Sequence, residues 1–179
     1  MDWHKLSREI ADKLDGNIAL ADERPIIYID SRQQQMLLVD IEEENNHSYP
    51  ISTAANGMGN RMDSFKTPFG IHRIRQKIGG GEVSGTIFES RESIGKVATS
   101  LDKRDKDEIT SRILWLDGLE EGINHGGVYD TFDRFIYIHG TSDEKRIGER
   151  VSAGCIRMKN DDIIELFDEV LVDDLVLIR

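Results

Sequence analysis

The chain has 179 residues, 38% hydrophobic and 32% charged, with a formal net charge of −11. That length suits one domain able to bury a core without metals or staples, and the acidic balance argues against a nucleic-acid partner, which needs a basic face. No window reaches the roughly 18 apolar residues of a membrane-spanning helix. A lone cysteine, Cys155, excludes an intrachain disulfide and the paired-thiolate zinc sites.

From the N-terminus, Trp3, Leu6, Ile10, Ala11 and Leu14 recur at helical spacing and Asp15-Gly16-Asn17 closes them, predicting a short packing helix in an extension over residues 1–24. The first residues lack a basic head, a long apolar stretch and a small-residue cleavage site. The expectation is a protein without a secretory signal, located in the cytoplasm, where Cys155 stays a thiol. From Pro25 the pattern turns strand-like. Residues 26–29, 36–39 and 69–74 read as strands, with His72 facing outward beside Ile71 and Ile74. The acidic run 40–44 reads as solvated surface. Residues 56–61 form a loop, and Gly79-Gly80-Gly81 lacks the strand–glycine–helix context of a phosphate cradle, so it reads as a turn. Residues 113–116 and 135–138 read as buried strands, the second ending at His139. His125 reads as a polar loop histidine, and as an alternative base only second to that. Asn160 is predicted to cap a helix whose start is favoured by Asp161 and Asp162 and whose apolar stripe is Ile163, Phe167, Val170 and Leu171. A last strand covers residues 175–178.

The chemistry concentrates in Ile138-His139-Gly140-Thr141 and Ser152-Ala153-Gly154-Cys155-Ile156-Arg157-Met158. A free thiol, with a pKa of about 8.5, is only a few per cent ionised at neutral pH, so Cys155 needs an activator. His139 can supply one by taking the thiol proton. The tetrahedral oxyanion of acyl transfer then needs converging N–H donors, which are placed on the backbone of Ala153, Gly154 and Cys155, where glycine permits a close approach. Gly140 and Ser152, flanking the pair, join Gly154 and Ala153 as residues shaping the site. Arg157, Arg134 and Thr141 are candidates for substrate binding, the arginines because a guanidinium offers a planar fork to a carboxylate. No metal or other cofactor is expected.

These strings resemble the L,D-transpeptidase catalytic domain, also called the YkuD domain. His139-Gly140-Thr141, Gly148, the run from Ser152 to Met158 and Asn160-Asp161 stand in the family's order and spacing. Thr67-Pro68-Phe69-Gly70 looks like its Thr-Pro-x-Gly element, and residues 130–138 resemble the strand before its histidine. The resemblance spans residues 25–179. One departure is visible: the second histidine of the usual Ser-His-Gly-Cys is Ala153 here. The resemblance implies a mainly β fold, a β-rich α+β arrangement of two mixed sheets with a few packing helices. It also implies Cys155 as nucleophile and His139 as base.

The implied substrate is the stem peptide of bacterial peptidoglycan, or a muropeptide carrying it. Cys155 would form a thioester with the third residue's carbonyl and release D-alanine. Cytoplasmic location and Ala153 favour hydrolysis, an L,D-carboxypeptidase acting in cell wall recycling. The alternatives are an L,D-transpeptidase that cross-links stems or exchanges D-amino acids, and a non-catalytic muropeptide-binding protein.

Overall fold

The computed structural model describes residues 24–39, 46–98 and 108–179. The helix expected near Leu6 lies outside them. Ten strands follow in order: β1 (Ile26–Asp30), β2 (Gln35–Val39), β3 (Asn46–Pro50), β4 (Gly70–Ile78), β5 (Thr86–Glu89), β6 (Glu92–Val97), β7 (Ile109–Gly118), β8 (Tyr137–Thr141), β9 (Ile156–Met158) and β10 (Leu175–Ile178). One α-helix, α1 (Asn160–Glu169), lies between β9 and β10. No helix among the described residues is long and apolar enough to cross a membrane.

Where two mixed sheets are expected, the hydrogen bonds run through one. Its order is β3-β2-β1-β10-β4-β7-β5-β6, with β8 branching from β7 and β9 from β8. The β1–β10 and β8–β9 pairs are parallel and the other pairs antiparallel. The branch starts at a bulge. Between Thr110 and Ile113 the β7–β8 register shifts, and Ser111 takes a left-handed φ of 63°. Two extra residues, Ser111 and Arg112, are taken up there, and such an insertion bends and twists a strand.

Alternation decides what each strand offers to each side. Leu114 and Leu116 of β7, Ile138 of β8, and Ile156 and Met158 of β9 enter the main core, where α1 adds Ile163, Leu166, Phe167 and Val170. Ile113, Trp115 and Tyr137 point the other way into a second cluster. Because side chains repeat every two residues, a one-residue slip of β8 would drive His139 into the core and expel Ile138. Burying an isoleucine stabilises by about 2–3 kcal/mol, so that slip is strongly disfavoured.

Several local expectations change. His139 lies in the middle of β8 rather than at a strand end. Phe135, with φ of 56°, precedes the strand and is exposed. Asn160 is the first residue of α1, not its cap; its backbone N–H is satisfied by Glu144 Oε1 at 2.7 Å, freeing its side chain for other work. Leu171 lies beyond the end of α1 and is exposed, and Leu166 takes its expected place in the stripe. Residues 79–81 do form the β4–β5 turn.

His72 faces inward and is fully buried. Its Nδ1–H donates to Gly70 O and its Nε2 accepts from Thr131 Oγ1, both at 3.1 Å. Burial, aided by the nearby Arg134 charge, pushes its pKa down to about 4 from 6.5. A histidine buried neutral takes up its proton more readily in the unfolded chain. The stability it contributes is therefore intact above pH 6.5 and is lost as pH falls from 6.5 through 4. The shift corresponds to about 3 kcal/mol. Urea denaturation across that window shows this slope in the native protein, and His72→Gln flattens it; an unchanged slope in the variant refutes the assignment.

Candidate active site

Register places the two candidate catalytic residues together. In the parallel β8–β9 pair, Ile138 lies opposite Ile156 and His139 opposite Arg157. Cys155 immediately precedes β9, next to Tyr137 and diagonal to His139. That placement puts the two side chains on the same side of neighbouring strands, opposite the core-facing Ile138 and Ile156. Cys155 packs against the cluster of Ile113, Trp115 and Tyr137, on the face away from the main core.

The imidazole is held in one tautomer. His139 is buried, and its Nδ1 lies 2.6 Å from Gly140 O. A carbonyl only accepts, so Nδ1 carries the hydrogen and Nε2 is left as the basic atom. Gly140 is required by close packing rather than by its backbone angles. A Cβ there would stand 2.6 Å from Thr110 O and 2.9 Å from Asn160 Oδ1. Asn160 holds this corner: Thr110 Oγ1 and Ser111 Oγ donate to its Oδ1, and its Nδ2 donates to Thr141 O and Glu144 Oε1.

The sulfur has its own fixed surroundings. The Tyr137 N–H donates to Cys155 Sγ at 3.4 Å, and the thiol faces Phe135 O at 3.5 Å. A backbone N–H aimed at sulfur favours its charged form. Arg134 supplies a cation nearby. Its guanidinium is held by Gly59 O and Lys66 O, at 3.2 and 2.6 Å. Burial lowers its pKa, an effect opposed by the charge of Cys155.

The turn before the cysteine is built around Gly154, with φ of 140°. There a Cβ would press on Ile136 Cδ1 at 3.2 Å. Ser152 Oγ donates to Cys155 O at 2.6 Å and accepts the Gly154 N–H at 3.2 Å. Of the three N–H groups expected to face an oxyanion, that of Gly154 is therefore engaged within the turn. Thr67 braces the same turn from the other side. Its hydroxyl donates to Gly154 O and accepts the Ala54 N–H, both at 2.9 Å.

Thr67→Val removes that hydroxyl at nearly constant volume and leaves two buried backbone groups unpaired. The expected cost is about 2–4 kcal/mol in urea denaturation, with slower alkylation of Cys155. Wild-type stability in that variant would refute the bracing role.

Of the residues singled out from sequence, Cys155, His139 and Arg157 share one face, with Gly140, Ser152 and Gly154 supporting it. Ala153 is exposed beside them. Thr141, two residues past His139 on β8, lies on the same side of the strand but is buried, and its hydroxyl accepts the Asp143 N–H at 3.0 Å. Arg134 comes close to the sulfur but spends its donors on backbone carbonyls. His125 lies in the 119–135 loop with Asp117 and Asp130 at 3.6 and 3.7 Å.

Sequence reasoning missed the parts played by Thr67, Tyr137 and Asn160. Each stood inside a quoted string, but only pairing shows what it touches. Among the described residues one donor group could hold a metal, His47 with Glu165 and Glu169. It lies at the β3–α1 contact and includes neither Cys155 nor His139.

A thiol and a tautomer-fixed imidazole on adjacent strands of a curled mixed sheet define a cysteine–histidine site of the acyl-transfer type. The family model of the L,D-transpeptidase catalytic domain (YkuD) matches residues 24–178, and the chain belongs to that family. YqjB of Bacillus subtilis (strain 168), which carries a provisional L,D-transpeptidase name, is 48% identical over 48 residues, 27% of this chain and 27% of that protein. The "Probable L,D-transpeptidase ErfK/SrfK" of Escherichia coli (strain K12) is 52% identical over 50 residues, 27% of this chain and 16% of that protein. The fold matches that of L,D-transpeptidase 3 from Mycobacterium tuberculosis, solved with a faropenem-derived adduct, at a TM-score of 0.54 and 16% identity, covering 87% of this chain and 60% of that one. An L,D-transpeptidase from Mycobacterium smegmatis gives 0.51 and 18%, covering 87% and 58%. The aligned segments thus span about a quarter or less of these curated relatives and under two thirds of the solved chains.

Proposed function

We propose that the protein transfers the acyl group of a peptidoglycan stem peptide through a Cys155 thioester, passing it to an amine acceptor as an L,D-transpeptidase. The observation that carries this reading is the register that sets Cys155, just before β9, diagonal to His139 of β8, whose Nδ1–H is fixed on Gly140 O. His139 Nε2 takes the thiol proton, and the sulfur attacks the carbonyl of the third stem residue. The tetrahedral adduct collapses as the imidazolium returns the proton to the leaving D-alanine nitrogen. An acceptor amine then attacks the thioester, giving its proton to His139 and restoring the thiol.

Transfer to an amine, rather than the hydrolysis favoured from sequence, is supported by the transpeptidase names of the matched relatives. Location bears on the same choice. Cross-linking acts on exported wall, whereas a cytoplasmic enzyme meets only precursors and recycled fragments. Incubating the protein with tetrapeptide donor, with and without an amine acceptor, and weighing the products tests the proposal. Dimeric or exchanged product is expected. Tripeptide alone, with acceptor present, would overturn transpeptidation in favour of the carboxypeptidase.

A further inference from the structure

The β5–β6 hairpin closes on a two-residue turn, because Glu89 pairs with Glu92. Its central residues are Ser90 and Arg91, with φ of 49° and 70°. Such a turn favours Asn-Gly, since both positions are left-handed and a branched-off Cβ is crowded there. A long cationic side chain held at this strained position points to something beyond closing a turn.

Arg91 reaches back over the site. Its Nη1–H donates to Tyr137 Oη at 3.2 Å, and its guanidinium lies 4.8 Å from the Trp115 ring centre and 5.2 Å from that of Phe135. Trp115 pairs with Tyr137 in the β7–β8 register, and the Tyr137 N–H meets the Cys155 sulfur. Arg91, Trp115, Tyr137 and Cys155 therefore line one stretch of the sheet. Among the described residues no carboxylate pairs with Arg91. One of five donors in its fork serves Tyr137, the two rings lie within cation–π range of the guanidinium, and the remaining donors suit a planar anion.

We propose that Arg91, seated on Trp115 and Phe135 and steadied by Tyr137, binds a free carboxylate of the acyl donor while Cys155 attacks. This rests on the reading of the substrate as a stem peptide. Two carboxylates near the attacked bond are candidates: the C-terminal α-carboxylate of the departing D-residue and, where the third residue is a diamino diacid, the carboxylate at its far end.

The test measures kcat and KM for the wild type, R91Q and R91G on three donors: the tetrapeptide, its C-terminal amide, and an analogue with lysine at the third position. On the tetrapeptide, R91Q is expected to raise KM roughly 10- to 100-fold, the scale of a charge-assisted forked contact, with kcat within about 3-fold. The wild type loses a similar factor on the donor lacking the bound carboxylate, and R91Q loses little more there. The donor showing this pattern identifies the carboxylate. R91G relieves the left-handed turn, so it should melt at or above the wild-type temperature while sharing the KM defect. A purely structural arginine would show the reverse.

Equal kcat/KM for wild type and R91Q on the tetrapeptide would overturn the carboxylate role and leave the proposed function standing. So would an R91Q defect of the same size on all three donors. If the wild type turns over none of them while iodoacetamide still alkylates Cys155, the stem-peptide reading falls and this proposal falls with it.

Discussion

Replacing Cys155 with alanine is expected to abolish the proposed acyl transfer from a tetrapeptide donor, with a loss on the order of 10⁶-fold in kcat, the scale seen when the nucleophile of a working triad is removed. The size follows from the chemistry. The chain has one sulfur nucleophile of this kind, since Cys155 is its only cysteine, and without it no thioester forms. The side chain is half-buried, so removing its sulfur leaves a small gap and fold stability should fall by about 1 kcal/mol or less. Mass spectrometry of the intact protein after incubation with donor checks the step directly. The wild type gains the mass of the acyl group and the variant does not. Retention of even a tenth of the activity would displace Cys155 from the mechanism.

His139→Gln comes next, with an expected loss of roughly 10²- to 10⁴-fold in kcat, the usual contribution of a positioned general base. Glutamine keeps a polar group near Gly140 O but offers no basic nitrogen toward the sulfur. Both halves of the proposed reaction should suffer, because the same imidazole would move the thiol proton to the leaving amine in acylation and take the acceptor amine's proton in transfer. Alkylation of Cys155 by iodoacetamide at neutral pH should slow in parallel, separating a loss of thiolate from a loss of substrate binding. An alkylation rate equal to wild type would assign the activation of Cys155 elsewhere, with Arg134 and the Tyr137 N–H as the groups at hand. Because His139 is buried against Gly140, a melting curve must accompany the kinetics.

Periodicity made much of the scaffold legible. Strands β1, β2 and β10 are short runs of branched and aromatic residues, and α1 carries its apolar stripe. These signals are local, set by how side chains alternate along one segment. Position along an element was less legible. Asn160 has the residue type of a cap, yet its side chain is drawn to Thr110, Ser111 and Thr141, and Glu144 satisfies the helix start instead. His72 looked solvated because a histidine between isoleucines carries no mark of its partners. Thr131, 59 residues away, is what lets it be buried. That the strands form one sheet rather than two was hidden for the same reason, since β7 pairs with β4, β5 and β8 and no local pattern encodes such pairings.

The sequence alone singled out the candidate nucleophile, its candidate partner histidine and the family whose motif holds both, because a single sulfur and a spaced motif are properties of residue identity. Only the tertiary structure decided how they are armed. The parallel pairing of β8 and β9 sets Cys155 beside Tyr137 and diagonal to His139. Gly140 O selects the imidazole tautomer, Thr67 and Ser152 brace the turn at Gly154, and a strained hairpin brings Arg91 onto the aromatic wall. Each of these joins residues far apart in the chain or depends on the direction of one backbone bond. Such contacts exist only once the sheet has closed and its register is fixed by the buried isoleucines.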